Sequence, residues 1–326
     1  MKNCESVLID NAFTIDRVVI NKKSKNVFDK LNNYLKFYIL ILGKLFLGNY
    51  NYVYAHYVSH VSIPLLIYGF FYKRTRIVIH VHGGDIKKLD GTSSTFFRIK
   101  FFLSKLILKR AYKVIVPSQA YKTFINANFT LNTDVVVYPS GGVDCNIFYP
   151  SSTKEKFEYK LGYAGRLVSS KNVHLVLEAL AKTEHFTLDI IGEGPELSNL
   201  ENLSKILNIE NRVKFKKAKS QSELAKWYRS IDCLIYPSES ESLGLVPIEA
   251  LACGVSVILS KIPAFQELQS NGFYINLMDS FSSDSICQKL DLVPDYDYYK
   301  RGHNIDLVKR LYARSKVQEI LINVFK

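Results

Sequence analysis

Along the chain, short runs of β-branched and aromatic residues alternate with longer stretches whose apolar positions recur at helical spacing, the pattern of a parallel α/β sheet. The runs predict strands at Tyr52–Ala55, Arg76–His80, Val114–Val116, Val135–Tyr138, Lys160–Tyr163, Leu188–Ile191, Val213–Phe215, Cys233–Tyr236 and Val255–Leu259. Between them, Val173–Ala181, Glu196–Leu207 and Ser222–Ser230 read as amphipathic helices, and Asp306–Val324 reads as one closing helix. The longest apolar stretch, Tyr34–Leu47, is interrupted by Lys36 and Lys44. It falls short of the roughly 20 residues a spanning helix needs, so it reads as a buried or interfacial helix.

The polar, charged segment Pro150–Glu158 separates two such strand–helix series and reads as a linker. This predicts a first domain over residues 1–155, a second over 156–304, and a C-terminal helix over 305–326 that packs back on the first. A length of 326 residues is enough for two domains, each with its own core. In doubly wound sheets, ligands bind beyond the carboxyl ends of the strands, so the chemistry is expected there.

Composition narrows the setting. Five cysteines without a CxxC pair suit neither a disulfide framework nor a zinc site and fit a reducing cytosol. The first residues, MKNCESVLIDNAF, contain no continuous apolar run, so no signal peptide is expected. Residues 1–158 hold 22 Lys/Arg against 10 Asp/Glu, whereas residues 159–326 hold 21 against 20. The first half is therefore expected to meet something anionic. Within residues 96–113, Arg98, Lys105, Lys109 and Lys113 fall on one helical stripe beside Phe and Leu, as an interfacial membrane helix requires. An ordinary outer helix with snorkelling lysines is the alternative. No nucleic-acid-binding module accompanies the basic charge, so no nucleic acid is expected.

Four segments carry candidate chemistry. In GYAGRLVSSKNVHLVLEAL, residues 162–180, Arg166 and Lys171 stand between a strand and a helix, where two cations suit a diphosphate. Taken alone, the pair reads equally as surface cations. In IIGEGPEL, residues 190–197, Gly192 and Gly194 form either a tight strand-to-helix turn or a place where backbone approaches a nucleotide. In YPSESESLGLVPIEALACG, residues 236–254, Gly244 opens a helix whose first amides can meet a phosphate. Glu249, inside that helix, can accept two hydrogen bonds from a ribose diol, and Glu241 lies on the loop before it. In IVIHVHGGDI, residues 77–86, His82 ends a strand beside two glycines and is placed to meet a ligand. His80, two residues earlier, reads as a packed supporting residue. Asp295-Tyr296-Asp297 is formally a metal-binding DxD, but it follows the last strand and reads as a helix entry.

Together, GRLVSSKN, IGEGPEL, DCLIYPSESESLGLVPIEALACG, HVHGGD and VVVYPSGGVDCNIF resemble glycosyltransferase family 4, the retaining "glycosyl transferases group 1". The resemblance runs from about Tyr50 to Leu268 and includes the E-x7-E spacing of Glu241 and Glu249. It implies the GT-B fold, α/β, with two Rossmann-like doubly wound domains facing across a cleft. It also implies that Arg166 and Lys171 neutralise the donor diphosphate, that Glu249 holds the ribose and that Glu241 contacts the transferred sugar. Backbone amides around Leu243, Gly244 and Leu245 would meet sugar and phosphate, and His82 would lie near the reacting sugar. No cofactor and no metal are expected, because fixed cations can stabilise the departing diphosphate.

The partners implied are a UDP- or GDP-linked sugar, a glycan or lipid-linked acceptor, and an anionic membrane surface, with the protein peripheral at the inner face of the plasma membrane. Two other readings stay open: a nucleotide-sugar epimerase on the same fold, and a weakly active binding subunit that needs a partner. The family's opening strand and glycine-rich loop are not recognisable in residues 1–50. Leu243 stands where the family favours an aromatic residue, and Ser256 where proline is common.

Overall fold

The computed structural model describes residues 2–20, 26–86, 94–151, 159–294 and 297–326. They divide into two compact units, Met1–Gly141 with Gln318–Lys326, and Gly142–Val317. The boundary falls at a glycine pair rather than in the predicted linker, of which residues 152–158 lie outside the described set. Ser140, Gly141 and Gly142 all have positive φ. A Cβ on Gly142 would come within 2.7 Å of the Tyr312 carbonyl oxygen, so only glycine fits that turn.

The first unit begins with two helices, α1 (Lys2–Asp10) and α2 (Val27–Leu47). It continues through β1 (Tyr52–His56), α3 (Val58–Phe71), β2 (Arg76–His80), α4 (Gly83–Ile86), α5 (Ser94–Arg110), β3 (Lys113–Val116), α6 (Gln119–Asn128) and β4 (Val135–Val137). All strand pairs are parallel and the order is β1-β2-β3-β4. A sheet that advances in one direction through right-handed crossovers puts its connecting helices on one face. No strand precedes β1 among the described residues, so this sheet carries only one of the two winding directions. Ile77, Ile79, Val114 and Val116 from the central strands meet Leu65, Ile107 and Leu108 from the helices in a dry core. Phe325 packs edge-on against Tyr52 and Tyr54 at 5.3 and 5.1 Å.

The basic stripe expected over 96–113 is shortened, because α5 stops at Arg110. Lys113 instead opens β3, where its ammonium lies 3.7 Å from Asp134 and over the Tyr112 ring.

The second unit runs β5 (Lys160–Ala164), a 3-10 turn (Ser169–Lys171), α7 (Val173–Ala181), β6 (Thr187–Ile191), α8 (Leu197–Ile206) and β7 (Val213–Lys216). It continues with α9 (Gln221–Tyr228), β8 (Cys233–Tyr236), α10 (Leu245–Ala252), β9 (Ser256–Leu259), α11 (Pro263–Ser270), β10 (Asn276–Leu277) and α12 (Ser283–Leu290). The order β10-β9-β8-β5-β6-β7 is doubly wound, with its switch between β5 and β8. Every residue of β8 and β9 is buried, as strands covered on both faces require. Under this sheet, the indole N–H of Trp227 donates to buried Asp189 at 3.1 Å, and Lys216 binds the same carboxylate at 2.7 Å.

The closing helix is two helices, α13 (Tyr298–Leu311) and α14 (Arg314–Phe325). At the break, the Val143 N–H donates to the Tyr312 carbonyl at 2.7 Å and the Arg314 N–H donates to the Val143 carbonyl at 2.9 Å. These bonds take the backbone groups that a continuous helix would use internally. Of the DxD candidate, Asp295 and Tyr296 lie outside the described residues. Asp297 is the N-cap of α13 and accepts from the Lys300 N–H at 2.9 Å, the helix-entry role its position predicts. Among the described residues, no helix is long and apolar enough to cross a membrane.

Candidate functional site

The carboxyl ends of β5 and β8, where the second sheet reverses direction, gather most of the predicted residues. After β5 the chain turns through Arg166 and the 3-10 turn to Lys171, and Asn172 then starts α7 with φ of 50°. Asparagine tolerates that left-handed conformation better than most residues. Its amide donates to the Pro237 carbonyl at 3.2 Å and to Glu239 at 3.3 Å, which clasps the loop after β5 to the loop after β8.

This clasp brings Lys171 to Glu241. Their ammonium and carboxylate are in direct contact, and Lys171 also donates to Ser238 Oγ at 2.9 Å. The Tyr236 hydroxyl donates to Glu241 at 2.9 Å, while its ring lies beneath the Lys171 ammonium at 5.4 Å. Tyr163 stacks on Tyr236 at 5.7 Å and donates its hydroxyl to the Arg166 carbonyl at 3.1 Å. Both tyrosines hold their protons to high pH, first because they are buried and then because Glu241 is near. Arg166 is exposed at this rim, and its guanidinium makes no ion pair among the described residues.

Gly244 precedes α10 with φ of 82°, and a Cβ there would meet the Phe265 ring at 2.5 Å. Leu243 is buried, so only its backbone can face a ligand, while Leu245 opens the helix. Glu249 lies one turn further in. Burial pushes its carboxyl up to about 7, with the Tyr228 hydroxyl at 3.4 Å and Arg314 acting in the opposite direction. Gly192 has a packing role: a Cβ there would run into the Gly165 carbonyl oxygen. The Gly165 N–H donates to Ile191 at 3.0 Å and the Leu167 N–H to Glu193 at 2.9 Å, so the glycine turn is stitched to the Arg166 loop.

His82 belongs to the first unit, within a cluster at the carboxyl ends of β1 and β2. His56 pairs in register with His80, and its Nδ1 lies 3.0 Å from His82 Nε2. Tyr54 hydrogen-bonds His80 Nδ1 at 2.7 Å, and Tyr57 stacks on His82 at 4.4 Å. Burial, reinforced by the neighbouring His82, pushes His56 down to about 3. Burial pushes His82 down to about 4 and His80 well below its ordinary value. At neutral pH the cluster is therefore uncharged, a set of donors and acceptors. The sequence pointed to His82 and His80 but passed over His56, Tyr54 and Tyr57. The strand-end His56 was visible, but the parallel register that sets it beside His80 was not. Among the described residues, only Cys4, His56 and His80 offer three ligand atoms close enough to share an ion, within 4.8 Å of one another. A thiol and two imidazoles suit a zinc-like ion, not the hard cation that accompanies a diphosphate.

The family profile described as "Glycosyl transferases group 1" matches residues 148–298, spanning the β5–β8 switch and α10. The O-antigen chain mannosyltransferase RfbU of Salmonella typhimurium is 26% identical over 307 residues, covering 91% of this chain and 82% of that enzyme. These likenesses make the chain a glycosyltransferase, similar over residues 148–298 to the group 1 family. A second relative of this transferase, the N-acetyl-alpha-D-glucosaminyl L-malate synthase of Bacillus anthracis, is 28% identical. That match covers 69% of this chain and 60% of the synthase, less than two thirds of its length. Among solved structures, HepE of Anabaena in complex with UDP-glucose superposes with a TM-score of 0.74 at 20% identity, covering 98% of this chain and 88% of that one. Sucrose-phosphate synthase of Thermosynechococcus elongatus gives 0.76 at 19%, covering 92% and 78%. These likenesses establish the GT-B fold for the transferase.

Proposed function

We propose that this transferase moves a sugar, with retention of anomeric configuration, from a UDP- or GDP-linked donor to a hydroxyl of a glycan or lipid-linked acceptor at an anionic membrane surface. The observation that carries the reading is the Lys171–Glu241–Tyr236 network at the β5–β8 switch, with exposed Arg166 beside it. When the bond to the anomeric carbon breaks, negative charge grows on the departing diphosphate. Cations already fixed in place lower that barrier without reorganising. Arg166 and Lys171 are assigned this task, helped by the backbone around Leu243, Gly244 and Leu245, and no metal is invoked for it.

Before donor arrives, Glu241 neutralises Lys171. A bound diphosphate competes for the ammonium and frees the carboxylate for a sugar hydroxyl. Glu249 is assigned to the ribose diol, and His82 to the sugar as a neutral hydrogen-bonding imidazole. RfbU is named as an O-antigen chain mannosyltransferase, which favours an acceptor in surface polysaccharide assembly.

The test is thermal stabilisation by a panel of UDP- and GDP-sugars, without metal and then with magnesium. A ligand at 100 times its dissociation constant raises stability by about 2.7 kcal/mol. A metal-independent shift that Arg166→Ala abolishes is expected. A panel with no shift would overturn the donor site, and conversion of donor to an epimer without acceptor would replace transfer by epimerisation.

A further inference from the structure

The outer layer of the first unit departs from the surface of an ordinary α/β domain. Of 27 exposed large apolar side chains among the described residues, 19 lie before residue 113, in the smaller unit. α3 contains no Asp, Glu, Lys or Arg, yet Ile63, Ile67, Phe70 and Phe71 on it are exposed. A helix that is apolar all round belongs in a core or against lipid. α3 packs against both α2 and α5, and each of these adds exposed apolar residues of its own, such as Ile39 and Phe102.

At their C-terminal ends, α2 and α3 gather into a tip. Phe46 meets Phe71 and Tyr72 edge-on at 5.8 and 5.7 Å, and Phe70 lies against Phe71 at 5.3 Å. Leu47 is 91% exposed and Phe70 75%. Lys73 and Arg74 follow at once, both exposed, and Arg110 of α5 donates to the Tyr72 carbonyl at 2.9 Å. Aromatic residues backed by cations are the anchoring chemistry of a membrane–water interface.

We propose that the outer faces of α2, α3 and α5, led by the Phe46–Leu47 and Phe70–Phe71 tip, seat in the headgroup region of an anionic bilayer. This deepens the transferase reading, and rests on it, by naming the surface from which the acceptor is met. It also moves the principal contact away from the α5 stripe that the sequence suggests. Charge selects the occupant. Residues 30–133 hold 15 Lys/Arg and only two acids, Asp85 and Asp90. A second copy docked face to face would bring like charges together, whereas an anionic leaflet complements them.

The experiment is co-sedimentation of the full chain with vesicles of phosphatidylcholine alone and of phosphatidylcholine with phosphatidylglycerol. Binding to the anionic vesicles is expected. The double variant Phe70→Ser, Phe71→Ser should lower the partition coefficient by roughly tenfold or more through lost apolar burial. The double variant Lys73→Glu, Arg74→Glu should lower it by roughly the same factor in low salt, and by less in high salt. Leu47→Gln serves as a second apolar variant if the Phe pair fails to fold. A parent that stays in the supernatant with both vesicle types overturns the proposal, as do apolar variants that sediment like the parent. A vesicle-free dimer that the Phe variants dissociate would also overturn it, by assigning the face to self-association. Donor-induced thermal shift on the same samples separates the two readings. An intact shift without vesicle binding removes only the membrane face. Vesicle binding without a shift removes the transferase site and leaves the face standing.

Discussion

The two units are built from the same strand–helix parts and use polar groups in opposite ways. In the second, charges meet in compensated pairs: Lys171 with Glu241 at the sheet switch, and Lys160 and Lys216 with Asp189 beneath it. In the first, the strand ends carry imidazoles and phenols that burial keeps neutral, and the outside is apolar with cations beside it. The difference follows from where each sheet turns. A doubly wound sheet opens a crevice at its switch, and fixed charges there can hold an anion. A sheet wound in one direction has no such crevice, so its strand ends offer neutral hydrogen bonds and its helix layer is free to become a contact surface.

Acid should separate the units most strongly. His56 and His82 have folded values of about 3 and 4, below the ordinary 6.5, so their neutral forms support the fold above that value. Their contribution is lost as pH falls from 6.5 toward 4, on the order of 5 kcal/mol for the cluster. Amide exchange in β2 should accelerate over that window while β8 stays protected, and equal protection of β2 at pH 7 and 4.5 would refute the contrast.

Removing Lys171 should break the second unit's chemistry without touching the first. Lys171→Ala is expected to slow nucleotide diphosphate release from the donor by about 10²–10³-fold, the usual loss for one fixed stabiliser of transition-state charge. Vesicle partition should not change, and a variant with near-parental turnover would remove Lys171 from the reaction.

Gly192→Ala tests whether the crevice depends on the stitch between the loops after β5 and β6. Its Cβ would meet the Gly165 carbonyl, so denaturant unfolding should show a loss of about 2–3 kcal/mol confined to the second unit. An unaffected midpoint would mean that the turn relaxes freely.

The smallest expected effect is at Glu249. Its folded value of about 7 exceeds the ordinary 4.5, so its contribution is present below 4.5 and lost as pH rises through 7. Glu249→Gln should therefore stabilise the second unit by on the order of 2 kcal/mol at pH 8 and by nothing at pH 4. The same variant should weaken donor binding, and a melting curve identical to the parent's at pH 8 would deny the burial cost.

Most of the second unit was legible in the sequence because β5, β6, β8 and β9 are almost wholly buried and end in loops that carry glycine or serine. Arg76–His80 and Cys233–Tyr236 coincide with the predicted runs to the residue. β10, two residues long, offers no periodicity to read. The break at Tyr312–Ala313 escaped because it depends on Val143, far away in sequence. The first 50 residues were legible only in part: Tyr34–Leu47 reads as a helix and falls within α2, but α1 and the first turns of α2 stand where the family's opening strand was sought. At the site, the charges at Arg166, Lys171, Glu241 and Glu249 could be read from spacing. The tyrosine pair beneath them could not, because stacking of Tyr163 on Tyr236 is a property of neighbouring strands.

The indole that donates to Asp189 is the chain's only tryptophan, and it sits wholly within the second unit's core. Its emission is therefore a built-in reporter on one half of the molecule. A fluorescence melt records the unfolding of the second unit's sheet, while far-ultraviolet dichroism records both sheets. Any gap between the two curves measures, without a label, how independently the halves unfold.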